Sequence, residues 1–492
     1  MPPTARAPSW RLGILIPVGL AIACASVACS ALFDDAVQCT TDADCAGFAS
    51  TVCGAEGTCV ASSGPDGSTP GTTEDGAIAT GDAAPGDDGG PAIVCLPDAS
   101  RLLVAIPGKP FNAGDAGGAG TEITSDTRLS CDKDWSLTGT VVVRAGATLR
   151  IDRSVIVRAD VNAALVVQPG GRLLVEGTAT EPVVVTSAKS IGVPGDFRGV
   201  YVLGRAAAAG NLVPPDPIFA FGAATTAPDD SSGSLKFLRI EYATQGLHLA
   251  GVGRGTVVDS VQVRRTSDDA ITITGGTVNA KHVVVQLAGD EAFVLRGGYQ
   301  GKLQYVISQR VAAGIGRNGL LVEGARPTIY NATFCGTPAA TPNVANGLLV
   351  RANGRPDLHN TVVSGYAAGY DQQGDASDTQ VASCVFFGQL VENLAYPEDA
   401  AEVDDASPYF DDDNGFDEAA FLTQAARGNS VNDPQIARCF NADNPGFAPA
   451  TKLVAPAPPA DGFFETAATF RGAVKDATAD WTKAPWLVWS SK

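Results

Sequence analysis

SDDAITITGGTVNAKHVVVQLAGDEAF, residues 267–293, reads as strand, glycine pair, strand and acidic corner, and ends by starting a third strand. Nothing in it turns back as a hairpin does. Apolar and β-branched side chains alternate with polar ones in the manner of a chain packing on a pleated surface. The same rhythm lies on both sides. FLRIEYA starts at Phe237, SVQVRRT at Ser260, HVVVQLA at His282 and YVISQRV at Tyr305, at intervals of 23, 22 and 23 residues. Asn331, Asn360 and Ser383 open further copies at 26, 29 and 23. Earlier, TVVVRAGATLRID at Thr140 and ALVVQPGGRLLVE at Ala164 stand 24 apart. Each copy carries a second apolar run after its corner, as in GLHLAG, AITITG, AFVLRG, GLLVEG and GLLVRA. A recurrence of about 20–30 residues with short strands in each copy is the signature of a β-solenoid.

Side chains two apart on a strand share a face. Stacked copies therefore predict one core column of Leu238, Val261, Val283, Val306, Ala332, Thr361 and Cys384. A second column holds Ile240, Val263, Val285, Ser308, Phe334, Val363 and Phe386. Between them runs an outward column: Arg239, Gln262, Val284, Ile307, Thr333, Val362 and Val385. It begins polar and turns apolar, and a contiguous apolar strip needs a cover. The C-terminal region is the expected cover, residues 396–445 foremost, with the half near Arg264 and Asp268 left open. Gly275, Gly276, Gly297 and Gly298 mark sharp turns. The expected fold is all-β: a right-handed parallel β-helix with a small N-terminal disulfide-rich module and a short helical excursion near the C-terminus. A β-sandwich, with its two-residue hairpins, does not recur at this constant interval.

Arg6 and Arg11 precede LGILIPVGLAIACASVACSALFDD, a short apolar run interrupted by Pro17 and Gly19 and ending in small residues. That order predicts a secretory signal rather than a membrane span. AIAC ends at Cys24 and SVAC at Cys29, and both resemble a bacterial lipobox, although neither has Leu three residues before its Cys. Cys29 is the expected lipidated residue and Cys24 the alternative. The resemblance implies a lipid-anchored protein at the cell surface or outer membrane. Cys39, Cys45, Cys53 and Cys59 then cluster without a CxxC or a nearby His. In an exported chain they predict two disulfides rather than a zinc site, with three pairings open. Residues 61–93 contain six acids and no Lys, Arg or aromatic residue, a composition that cannot form a core. The expected organisation is a signal peptide at 1–29, a Cys-rich module at 30–60, a linker at 61–93, the β-helix at 94–395, and a C-terminal cap and covering segment at 396–492.

ATLRIDRSVIV, GDFRGVYVLGRA, GSLKFLRIEYA, GTVNAKHVVV and the closing DGFFETAATFRGAVKDATADWTKAPWLVW resemble a widespread group of bacterial secreted β-helix lipoproteins. The resemblance covers roughly residues 125–492. It implies the fold and export, and carries no activity with it. Within residues 396–445, FDEAAFLTQAA has helix formers, acids in its first turn and a Gly beyond its end. The preceding DDDNG is no EF-hand, because Phe410 falls at the first ligand position. Phe463, Phe464, Trp481, Trp486 and Trp489 give an aromatic tail, expected to cap the last coil.

The acidic corner has three readings. Asp side chains cap turn amides. Asp268, Asp269, Asp290 and Glu291, stacked one coil apart, could instead bind Ca²⁺, which would relieve their repulsion. Thirdly, Asp268, Asp269 and Asp290, with Arg264, are candidate catalytic residues by resemblance to polygalacturonase-like hydrolases and related Ca²⁺-dependent lyases. The His-Gly and Arg-x-Lys motifs expected of polygalacturonases are absent from the chain. No P-loop, GxSxG or HExxH is present, and His248, His282 and His359 fall on different coils. A net charge of −19 speaks against nucleic acid as a partner. Two functions remain: a lipid-anchored surface protein for binding, adhesion or structure, with glycan the candidate ligand, and a polysaccharide-degrading lyase or hydrolase. No cofactor is required by either beyond the candidate Ca²⁺.

Overall fold

The computed structural model describes residues 51–53, 59–61, 95–112, 119–208, 217–222, 226–310, 318–337, 345–373, 377–389 and 416–489. Residues 1–88 and 89–492 form two separate units. In the first, Thr51–Cys53 pairs antiparallel with Cys59–Ala61, setting Cys53 opposite Cys59. Cys24, Cys29, Cys39 and Cys45 lie outside the described residues, as do the side chains of Cys53 and Cys59.

The second unit is a right-handed parallel β-helix of about ten coils. One coil shows how the sequence makes its three faces. Leu247–Ala250 lies on the first face. Val257–Arg264 then supplies the second and third faces as one strand, bent at Ser260, whose φ is 58°. A further turn leads to Ile271–Thr274, stacked in parallel on Leu247–Ala250. Gly275 and Gly276, at φ 62° and 77°, turn the chain back to the second face. The equivalents of Ser260 are Phe237, His282, Tyr305, Asn331, Asn360 and Ser383, with φ from 49° to 59°. They are the residues that open each copy in the sequence. From Phe237 onward, one left-handed residue per coil makes the edge between the second and third faces. Each is held there by paired strand on both sides.

Both core columns stack as the periodicity predicts. Leu238, Val261, Val283 and Val306 pair in succession, as do Ile240, Val263, Val285, Ser308, Phe334, Val363 and Phe386. The outward column Arg239, Gln262, Val284, Ile307, Thr333, Val362 and Val385 is also continuous in register. The wider intervals after Tyr305 leave this register intact.

What covers this third face differs from expectation. Val284, Ile307, Val362 and Val385 are buried against Ile436, Phe447, Val474, Trp486 and Leu487. The cover is thus a strap of residues 431–489, of which 396–445 contributes only one part. The polar half is not open either. Gln262 donates to the Val488 carbonyl at 2.9 Å and accepts from the Val488 amide at 3.0 Å. Farther along, Gln286 donates to the Ala442 carbonyl, Gln309 to those of Cys439 and Asn441, and Asn331 to those of Ala468 and Phe470. A disulfide between Cys335 and Cys439 ties strap to coil across 104 residues. A second, Cys95–Cys131, closes the N-terminal end.

The aromatic tail is therefore strap rather than cap. The cap is the expected helix, Glu418–Leu422, started by the Asp417 side chain accepting from the Ala420 amide. Phe421 and Leu422 close the core end, and Phe421 stacks on Tyr370. Asn429 accepts from the Cys384 amide and donates to the Val381 carbonyl, satisfying the last coil. Over the first face, Ile218 packs on Val142, Val166 and Tyr201.

Candidate functional site

The acidic corner joins the third face to the first. The pairing Leu247–Ile271–Phe293–Leu320–Leu348 sets the register of the first face. Two residues before each lies a polar side chain: Gln245, Asp269, Glu291, Asn318 and Asn346. Arg198 extends this row by one coil, its carbonyl accepting from the Gln245 amide. The row is a ladder of side chain to backbone bonds. Asp269 Oδ1 accepts from the Glu291 amide at 3.4 Å, and Asn318 Oδ1 from the Asn346 amide at 2.8 Å. Asn318 Nδ2 donates to Glu291 Oε1 at 3.1 Å, and Asn346 Nδ2 to Asp371 Oδ2 at 2.8 Å. Asp269 and Asn318 each satisfy an amide that a corner would otherwise leave unpaired.

Two acids in this row change its electrostatics. Burial raises the Glu291 carboxyl to about 8, helped by the charges of Asp290 and Asp269. Burial also raises Asp269, and the Asp268 and Asp290 charges add to the effect. Glu291 therefore holds its proton to higher pH than an ordinary carboxyl does. Beside the row, Tyr201 lies 5.8 Å from His248 and its hydroxyl 3.4 Å from Gln245 Oε1. Burial and the Arg296 charge hold His248 down to about 4, so the ring stays neutral and bonds Thr274. Thr272 donates to Asp269 Oδ2 at 3.3 Å.

Asp268, Asp269 and Asp290 come together, with one oxygen from each within 4.8 Å of the others. They could hold a hard cation. Glu291 adjoins that group, bonding Asp269 and Asp290 through its side chain, and also accepts from Asn318. Arg264 is buried and pairs with Glu241 at 3.6 Å, beneath the face that the strap covers. His282 is engaged as well, bonded to Asp259 at 2.9 Å and stacked on Tyr305. Sequence reasoning missed Arg198, Gln245, Asn318 and Asn346 as members of the corner. Their signal was present: QGLHL, DAITI, EAFVL, NGLLV and NGLLV align with the polar residue first.

Three parallel faces, bent strands and a corner ladder agree with the family comparison, in which the model of a pectate-lyase-like β-helix domain matches residues 121–432. The chain belongs to the pectate-lyase-like β-helix family. No curated protein and no solved structure shows a significant match. Membership of the pectate-lyase-like family fits either a binding protein or a polysaccharide-degrading enzyme. The carboxyl spacing bears on the enzyme. An inverting glycosidase keeps its two carboxyls about 6.5–9.5 Å apart to seat a water. In this pectate-lyase-like β-helix one oxygen from each of the three Asp residues lies within 4.8 Å of the others, closer than that range.

Proposed function

We propose that this is an exported, lipid-anchored β-helix protein of the cell surface or outer membrane, serving as a binding or structural module with glycan as its candidate ligand. The observation that carries the non-catalytic reading is the strap. The third face, whose outward row would offer an elongated polymer a groove, is filled by Trp486, Leu487, Val474 and Phe447. Among the corner acids Asp269 has a structural task that accounts for its placement, which is to cap the Glu291 amide of the next coil. Export is supported by two disulfides in the β-helix unit, since such bonds persist in oxidising compartments. Lipidation is proposed at Cys29, with Cys24 as the alternative, on the signal pattern alone.

A polysaccharide-degrading enzyme is the second reading. It rests on the raised Glu291 and Asp269 carboxyls lying side by side, a pairing suited to acid–base work. One screen separates the two. The full chain is tested against a glycan array and against soluble polysaccharides for new reducing ends or unsaturated products, with and without Ca²⁺. Glycan capture without product supports binding. Product formation that Asp269→Asn abolishes establishes the enzyme. Mass spectrometry of the mature N-terminal peptide tests the anchor, and an unmodified peptide spanning both Cys residues defeats it.

A further inference from the structure

A parallel β-helix has three strand edges at each end, and each is a template for another strand. At the C-terminal end all three have partners. The Gln372 amide donates to Glu418, Asn429 bonds the strand Gln380–Ala382 and its neighbour, and Ser430 bridges Val385. At the N-terminal end two edges carry the usual defences. Lys109–Asn112 closes the first face antiparallel and presents Lys109 and Pro110. Thr127–Leu129, on the second face, is three residues long and holds Arg128, paired with Asp152. The third face ends on Leu102–Ala105, sequence LLVA, with neither charge nor proline. That strand pairs with Lys133–Leu137 on one side. Leu102 and Leu103 are 75% and 56% exposed, and Leu96 beside them is 40% exposed.

We propose that Leu102–Ala105 is a self-association edge, at which two copies of the chain join head to head by antiparallel pairing of this strand. A second copy suits it best for three reasons. The strand is apolar throughout, so an antiparallel repeat of itself sets apolar residues opposite each other. The chain that leads into it, residues 62–94, is dominated by Gly, Pro, Ser, Thr and Asp and makes a poor strand. The capped C-terminal end cannot serve as a complementary surface, so the contact is isologous and closes at two copies instead of growing into a fibre. A four-residue ladder buries far less than the roughly 1,200 Å² of a stable interface. The dimer is therefore transient in dilute solution and favoured where copies are concentrated on one surface.

Sedimentation equilibrium tests this on the full chain carrying Cys24→Ser and Cys29→Ser, from about 1 µM to about 1 mM. The expected result is a mass that rises from one chain towards two, and a Leu102→Lys, Leu103→Lys variant that stays at one chain with an unchanged melting temperature. A parent mass of one chain throughout overturns the proposal. So does a lysine variant that dimerises equally, which places the contact elsewhere. A lysine variant that melts earlier as a monomer also overturns it, because part of the same chain then occupies the edge.

Discussion

Ser260 occupies left-handed backbone in a sequence that offers no glycine at that place. The conformation costs a non-glycine residue roughly 1–2 kcal/mol, and most where the side chain is β-branched. Ser260→Val is therefore expected to lower unfolding free energy by about 1–2 kcal/mol, and Ser260→Gly to change it by about 1 kcal/mol at most, measured by denaturant titration. Glu291 gives the pH counterpart. Its folded pKa of about 8 lies above the unfolded value of 4.5. The folded state therefore keeps a proton that the unfolded state has lost, and the contribution to stability is fully present below pH 4.5. It falls as pH rises and is gone above 8. Glu291→Gln keeps the acceptor for Asn318 and should flatten that slope, raising the melting temperature at pH 8 relative to the parent. A cation offers another way to discharge the corner. If Asp268, Asp269 and Asp290 bind Ca²⁺, added Ca²⁺ raises the melting temperature, more at pH 9 than at pH 6, and Asp268→Asn with Asp290→Asn removes the effect. A calcium-independent melt leaves these acids the capping role alone.

The strap has almost no secondary structure of its own between residues 431 and 489. It is held by buried amide side chains, by apolar contact and by one disulfide. Gln309 contributes two bonds to strap carbonyls. Gln309→Ala leaves the buried Cys439 carbonyl without its donor and is expected to cost about 1–3 kcal/mol. Replacing Cys335 and Cys439 by Ser removes the closure of 104 residues and is expected to cost about 2–5 kcal/mol. Deleting residues 431–492 keeps the capping helix and uncovers Val284, Ile307, Val362 and Val385. Binding of a hydrophobic dye should then rise. A truncated chain that stays dye-negative would show that the strip does not need this cover. The strap was half legible in the sequence. An apolar outward column announced that something covers it, since that column is local and periodic. Which segment covers it depends on contacts between residues such as Gln262 and Val488, 226 positions apart, and no periodicity reports on those.

Solenoid coils contact only their neighbours, which allows such a molecule to open piecemeal. Here the strap crosses from Arg239, bonded to the Trp486 carbonyl, to Val385, and so couples coils that do not touch one another. The full β-helix is expected to unfold in one transition, and the chain lacking residues 431–492 in more than one, followed by fluorescence and circular dichroism together. The sequence by itself determined the coil: its period, its core columns, its turn glycines, its short C-terminal helix and the outward strip. Each of these is set by alternation or turn chemistry within about one repeat, which local sterics and burial enforce. Only the tertiary structure decided the rest. It buried Glu291 against Asn318, buried Arg264, used the aromatic tail as a strap and left Leu102–Ala105, among the described residues, without a neighbour on one side. The reason is the same in each case. Burial and charge at these places come from segments distant in the chain, and folding brings them together through contacts that no single repeat encodes.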